Sequence, residues 1–230
     1  MCPMDAPAKP DPDPAPKLAP DLDAARRGQL AEAVAAEADF GGWSGTAMRS
    51  AARQIGAPEG EAERLFPGGP VAVLAWLSER ADLRTVETME AAGAEKLKIR
   101  ERIRLAVRAR IEQTVGGRES VRRGLAMLAL PFNAALGLKL LYRTVDAIWY
   151  AAGDTSADFN FYTKRAILAG VYSSTLLYWL NDRSEGSEAT WSFLDRRIDN
   201  VMRFEKWKAG LGAWRGPRRW TPGRPSHRHR

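Results

Sequence analysis

The sequence predicts an all-α protein, on three observations. Apolar residues recur at helical spacing, no stretch alternates convincingly at period two, and Gly-, Pro- or Ser-rich breaks punctuate the chain at helix-length intervals. The expected helices cover 22–40, 46–55, 59–65, 70–90, 95–115, 119–130, 131–152, 155–180 and 187 to about 211. The first stops at Gly41-Gly42, the second at Gly56-Ala57-Pro58 and the third at Pro67-Gly68-Gly69-Pro70. Gly116-Gly117 separates the fifth from the sixth, and Gly153-Asp154 the seventh from the eighth. Side chains mark two of the starts. Thr155 and Asp158 form a capping-box-like pair directly after Gly153, and Ser187 precedes the apolar period Trp191, Leu194, Ile198 and Val201.

A chain of 230 residues, 45% hydrophobic and 27% charged, is long enough for one domain with a sizeable core. Its formal charge of +7 is unevenly placed. Residues 203–230 hold nine basic groups and one acidic group, so the remainder sums to −1 and the basicity belongs to a tail. A nearly neutral body argues against a nucleic-acid-binding core, which needs its own positive field. Residues 1–20 carry seven of the 14 prolines and few apolar groups, too little burial to offset the entropy of ordering. They read as a disordered arm, with neither the apolar segment of a secretory signal nor the Arg-rich pattern of a transit peptide. The expected organisation is this arm over 1–20, a helix-turn-helix segment over 21–70, a helical bundle over 71–185, an amphipathic terminal helix region over 186–214 and a basic tail over 215–230.

Several chemistries have nothing to work with. Cys2 is the single cysteine, which excludes an internal disulfide or a thiolate metal cluster. The two histidines, His227 and His229, sit in the Arg-rich terminus, so no His-based nucleophile or metal site can form in the core. Phosphate-cradling glycine loops are missing. No catalytic residue, metal or cofactor is assigned, and a binding protein is expected rather than an enzyme. The uncharged stretches 124–138 and 166–181 fall short of the ~20 apolar residues that span a bilayer, which predicts a soluble or peripheral protein.

Residues 40–70, FGGWSGTAMRSAARQIGAPEGEAERLFPGGP, place a helix, a turn, a second short helix and then a long one in succession. The order resembles the N-terminal helix-turn-helix of tetracycline-repressor-like regulators. A recognition helix approaches phosphates and base edges with cationic and polar groups. This one presents Glu59, Glu61 and Glu63 against Arg64, which predicts a repressor-like scaffold with a degenerate helix-turn-helix that does not bind nucleic acid. An accidental helical hairpin is the alternative.

Asp158, Phe161, Tyr162 and Arg165 share one face of the eighth helix, an aromatic pair bracketed by an acid and a base. Such a face is either an ordinary core pair with flanking charges or a protein-contact surface anchored by aromatic and Arg side chains. Arg165 precedes the 16-residue uncharged run 166–181, and either pairs with Asp158 or holds a phosphate or quinone oxygen at the mouth of an apolar cavity. Within the run Ala166, Gly170 and Ser174 form a small-residue stripe suited to close helix packing, including that of a homodimer. Met127, Leu130, Leu138, Leu141, Val145 and Ile148, with Leu168, are core residues or the lining of a lipid cavity. Tyr150 lies on a polar face with Lys139, Arg143 and Asp146 and is a candidate for a partner surface.

The last helix has two apolar sides. Trp191, Leu194, Ile198, Val201 and Met202 can pack on the bundle, and Phe193, Phe204, Trp207 and Leu211 lie roughly opposite. The second stripe is flanked by Arg196, Arg197, Arg203 and Lys208, the pattern of an interfacial helix on anionic lipid. A partner helix is the competing occupant, and an RNA-binding tail using Arg and Trp stacking is a third, weaker alternative.

On four passages the sequence resembles the coenzyme Q biosynthesis protein nine family, in its alphaproteobacterial form. They are FGGWSGTAMRSAA (40–52), KLKIRERI (96–103), VDAIWYAAGDTSADFNFYTKRAILAGVYSSTLLYW (145–179) and TWSFLDRRIDNVMRFEK (190–206). The resemblance implies a dimeric tetracycline-repressor-like fold that binds an isoprenoid lipid, a quinone intermediate or a phospholipid. It also implies an accessory role to the di-iron demethoxyubiquinone hydroxylase, peripheral on the cytoplasmic face of a bacterial inner membrane. On the same basis Phe161 and Tyr162 would face the hydroxylase and Arg165 a lipid headgroup, although relatives usually carry Trp at the position of Phe161.

Overall fold

On α1 (Pro20–Gly41), Leu30, Ala31, Val34, Ala35 and Ala38 follow the helical period, and all five are fully buried. They set the core on which α2 and α6 pack. The computed structural model describes residues 20–153 and 160–214. Among the described residues there is no strand, and the elements that follow α1 are α2 (Gly45–Gln54), α3 (Glu61–Leu65), α4 (Gly69–Ala91), α5 (Ile99–Glu112), α6 (Arg118–Leu128), α7 (Ala134–Ala151), α8 (Asn160–Trp179) and α9 (Glu188–Trp214). None of the described helices is long and apolar enough to cross a membrane.

The described residues form two compact units that interleave along the chain. The first takes residues up to Arg84 and Gln113–Thr144, and the second takes Thr85–Glu112 and residues from Val145 onward. Positions 70 and 185, where the sequence suggested boundaries, lie inside these units.

In the first unit Ser44 caps α2, its Oγ accepting from Ala47 N at 3.1 Å. Trp43, Met48, Leu65, Phe66, Val73 and Leu77 join the α1 face in one apolar cluster. The start of α6 is held from a distance. Asp39, near the end of α1, accepts from Gly117 N at 3.0 Å and from Ser120 N at 2.7 Å. One carboxylate thus satisfies two N–H groups at that helix start and meets the positive end of the helix dipole. Gly117 is required by this approach, since a Cβ there would lie 2.5 Å from Asp39 Oδ2.

The starts of α7 and α5, and the capping of α9, differ from the sequence expectation. Residues 131–133 stay outside α7 because Asn133 finishes α6, its side chain donating to Met127 O at 3.0 Å and its backbone N–H to Leu130 O at 2.8 Å. The stretch expected as one helix over 95–115 divides into a 3-10 turn at Ala94–Lys96 and α5, with Glu101 accepting from Lys98 N at 3.3 Å. Ser187 lies in the left-handed region at φ 59°, directly before α9, and two N–H groups of the first turn are met by residues further back: Ser184 Oγ accepts from Ala189 N at 3.0 Å, and Asp182 Oδ2 from Thr190 N at 2.9 Å. The capping pair Thr155 and Asp158 lies outside the described residues.

Candidate functional site

The second unit is built on an antiparallel pairing of α5 and α9. Arg100, Arg104 and Arg108 are spaced one turn apart on α5 and meet Asp199, Asp195 and Trp191, spaced one turn apart in the opposite sense on α9. The two ion pairs are 2.5 Å each, and the Arg108 guanidinium lies 4.9 Å from the Trp191 ring centroid. Leu194 and Ile198 of α9 are buried beneath this ladder, as the apolar period starting at Trp191 predicts.

Arg102 fixes the end of α7. Its guanidinium donates to Leu97 O at 2.8 Å, to Ala152 O at 3.0 Å and to Glu95 O, bringing a cation to the carbonyls left over at the helix C-terminus. Gly153 follows at φ 76°, where a Cβ would stand 2.9 Å from Arg102 Nη1. The glycine is needed for both reasons.

Between these helices lies an apolar groove of about 310 Å³. Ile99, Arg100 and Ile103 of α5 form one side and Ile198 and Val201 of α9 another. Trp149 of α7 and Lys164, Ile167, Leu168 and Val171 of α8 complete it. Its size is at the lower end of the ~300–1,000 Å³ typical of ligand sites. Among the described residues seven of the ten that line it are aliphatic, and none is a carboxylate.

Arg165 stands on α8 against Asp146 of α7. Its Nε and Nη2 donate to the same oxygen, Asp146 Oδ1, at 2.9 and 2.6 Å. The Arg165 side chain is 10% exposed and that of Asp146 49%. Asp146, 19 residues away, is thus a partner of Arg165, and Asp158 lies outside the described residues.

The other sequence-derived candidates fall in different places. Tyr162 and Tyr150 are both 72% exposed, and nothing is described of the Phe161 side chain. Of the seven cavity candidates, Leu168 lines the groove. Val145 and Ile148 are buried in the second unit. Met127 packs on the core of the first unit, Leu141 is half-buried, and Leu130 and Leu138 are exposed. Leu138 and Val145 are seven residues apart and share a face by periodicity, which specifies an angle around the helix but not how far along it that face is covered.

Phe193 of α9 stacks on Tyr178 of α8 with ring centroids 4.6 Å apart, and the Arg196 and Arg197 guanidinium groups lie 6.0 and 5.9 Å from its ring. This aromatic is engaged within its own unit. Phe204, Trp207 and Leu211 belong to α9, but their side chains lie outside the described residues. The groove also uses residues not singled out from sequence as its lining, above all Trp149, Ile103 and Val171. They share no motif and come together only through helix packing.

The helix-turn-helix segment lies in the first unit. Arg64 of α3 pairs with Asp23 at 3.2 Å and with Glu61 at 3.5 Å, and Arg26 of α1 pairs with Glu61 at 3.2 Å. The Asp23 carboxyl accepts from Arg64 and is held below the usual carboxylate range, and the same contact raises the Arg64 guanidinium. The one base of the second helix is thus engaged by two acids of its own chain.

Known proteins match both the sequence and the fold. The profile of the COQ9 family matches residues 134–205, which contain α7, α8 and much of α9. The ubiquinone biosynthesis protein COQ9, mitochondrial, of Rattus norvegicus is 36% identical over 167 residues, covering 70% of this chain and 54% of the relative. The Homo sapiens protein of that name is 33% identical over 168 residues, covering 70% and 52%. COQ9-A of Xenopus laevis is 36% identical over 171 residues, covering 71% and 53%. The chain spans about half the length of these curated relatives. A TetR transcriptional regulator from Nitrosomonas europaea superposes with a TM-score of 0.65 at 20% identity, covering 83% of this chain and 99% of the regulator. The fold is that of a TetR-like helical protein, and by its sequence matches the chain belongs to the COQ9 family.

Proposed function

We propose that this chain is a non-catalytic, lipid-binding accessory protein of ubiquinone biosynthesis. The observation that carries the reading is the apolar groove between α5, α7, α8 and α9. Transfer of apolar surface from water is favourable by ~25 cal/mol per Å², so aliphatic walls of this kind retain an isoprenoid lipid, a quinone intermediate or the apolar part of a phospholipid. That the relatives from Rattus norvegicus and Homo sapiens are ubiquinone biosynthesis proteins supports the pathway.

At about 310 Å³ the groove takes a head and the first part of a chain rather than a long polyprenyl tail. The protein works at the membrane surface, partly lifting its ligand and presenting it to a di-iron demethoxyubiquinone hydroxylase. Exposed Tyr162 and Tyr150, with Asp158 and Phe161, supply the partner surface, and Phe204, Trp207 and Leu211 the membrane contact. Phe193 supports its own unit through Tyr178. The working form is a homodimer, peripheral on the inner membrane.

The TetR-like fold raises a second reading, a ligand-responsive transcription regulator. It is disfavoured by the engagement of Arg64 with Asp23 and Glu61.

The experiment is transfer. Liposomes carrying demethoxyubiquinone are incubated with the protein and separated by flotation. Wild type is expected to leave with quinone bound and to hand it to the hydroxylase, whereas Tyr162→Lys should take up quinone but lose hydroxylase pull-down. Absence of quinone from the protein fraction would contradict the lipid-binding role, and unchanged pull-down would contradict the assigned surface.

A further inference from the structure

We infer that the turn between α6 and α7 is a further membrane contact, a preformed apolar tip that enters the headgroup boundary of an anionic lipid surface. The inference rests on the membrane-surface reading above but not on the groove, since all of the tip belongs to the first unit. Phe132 is 79% and Leu138 68% exposed, and Leu130, Pro131, Ala135 and Tyr142 are exposed as well. Ala135, Leu138 and Tyr142 follow at helical spacing, so the apolar surface runs from the turn along one face of α7. A single exposed Leu is ordinary, whereas a run of apolar groups ending in an exposed aromatic marks a contact surface.

Charge decides what the surface meets. Residues 120–145 hold Arg122, Arg123, Lys139 and Arg143 and no acid. Arg122 and Arg123 contact Glu119, and Arg143 contacts Glu79, while Lys139, beside Leu138, makes no ion pair among the described residues. Apolar groups bordered by cations suit the interface of an anionic bilayer, where the rings and aliphatic chains enter the acyl boundary and the cations stay at the headgroups. The turn also brings little bare backbone to the lipid. Pro131 has no N–H, Leu130 N donates to Met127 O at 3.3 Å, and Asn133 N donates to Leu130 O at 2.8 Å. Asn133 is the one polar side chain in the uncharged stretch 124–138, and it is spent on Met127 O at 3.0 Å. Gly137 lets α7 approach α6 closely, since a Cβ there would lie 3.2 Å from Leu128 O. A tip held in this way needs little ordering when it inserts.

The test uses the full chain with Cys2→Ser and Ala135→Cys, labelled at the new thiol with the environment-sensitive dye NBD, so that Phe132 and Leu138 stay in place. The vesicles are phosphatidylcholine alone, or phosphatidylcholine and phosphatidylglycerol in equal parts. The protein should float with the anionic vesicles, the dye should brighten, and spin-labelled lipid should quench it. Phe132→Ser should weaken partitioning onto anionic vesicles about tenfold. Lys139→Gln should weaken it about three- to fivefold, with no effect on neutral vesicles. Both side chains are exposed, so thermal unfolding of the two variants should match wild type. Protein that floats while the dye stays dim and unquenched overturns the inference and leaves membrane association through α9 intact. A dye that brightens without vesicles places a second copy, or another part of this chain, on the tip and overturns it too. If nothing floats with either vesicle, the membrane-surface reading falls and this inference falls with it, whereas quinone uptake tests the groove separately.

Discussion

Arg165 sets two guanidinium nitrogens on a single oxygen of Asp146, joining α8 to α7 just beyond residues 154–159. The arginine is largely buried and the aspartate half-exposed. Removing the carboxylate leaves a buried cation with less compensation, a loss of ~3–5 kcal/mol at a fully buried pair that the exposure of Asp146 reduces. Asp146→Ala is expected to destabilise the protein by about 1–2 kcal/mol in urea unfolding. Arg165→Lys should recover little, since an ammonium cannot reproduce two donors in a fixed plane.

The Asp39 cap predicts a coupled pair of substitutions. Asp39→Ala should cost about 1 kcal/mol by removing the acceptor for Gly117 N and Ser120 N. Gly117→Ala should also destabilise, because its methyl group collides with that carboxylate. The double variant should lose less than the sum of the two, as thermal unfolding of all four proteins will show.

Asp182 makes stability pH-dependent in a defined direction. Hydrogen bonds from the Thr190 and Ser184 hydroxyls, with their backbone N–H groups, hold its carboxyl far below the usual carboxylate range. A carboxyl whose pKa is depressed on folding contributes stability above its unfolded pKa, and the contribution is lost as pH falls through the folded value. Wild type should therefore lose stability below about pH 4 more steeply than Asp182→Asn. The two unfolding curves, compared from neutral pH to about pH 2, should converge on acidification. A constant gap would remove Asp182 from the account.

The α5–α9 ladder predicts charge-swap rescue. Arg104→Asp places like charges opposite Asp195 and should weaken the pairing, and adding Asp195→Arg should restore much of the loss. The pair is exposed enough that the coupling energy should be about 0.5–1 kcal/mol and should shrink in high salt.

The order of the helices was legible because it depends on local punctuation. Breaks at Gly42, Gly56 and Gly153 coincide with positive-φ glycines, and the Trp191 stripe does pack inward through Leu194 and Ile198. Helix α9 begins directly after Ser187, as the sequence suggests, but the segment offers two serines, and only the fold shows that Ser184, together with Asp182, reaches the N–H groups of Ala189 and Thr190. The contact of Arg165 with Asp146 is not legible for a related reason. Periodicity pairs residues on one helix, whereas Asp146 stands on another. The groove was least legible, since Ile103, Trp149, Leu168 and Ile198 come from four helices and share only their apolar character.

The central claim is that these four helices enclose a site for an apolar molecule. It is tested most directly by native mass spectrometry of protein purified without detergent, comparing wild type with Leu168→Trp, whose larger ring fills the groove. Wild type is predicted to carry a non-covalent adduct of lipid mass that the variant, with unchanged helicity, lacks. Equal adduct on both proteins, or none on either after incubation with quinone-loaded liposomes, would contradict the claim.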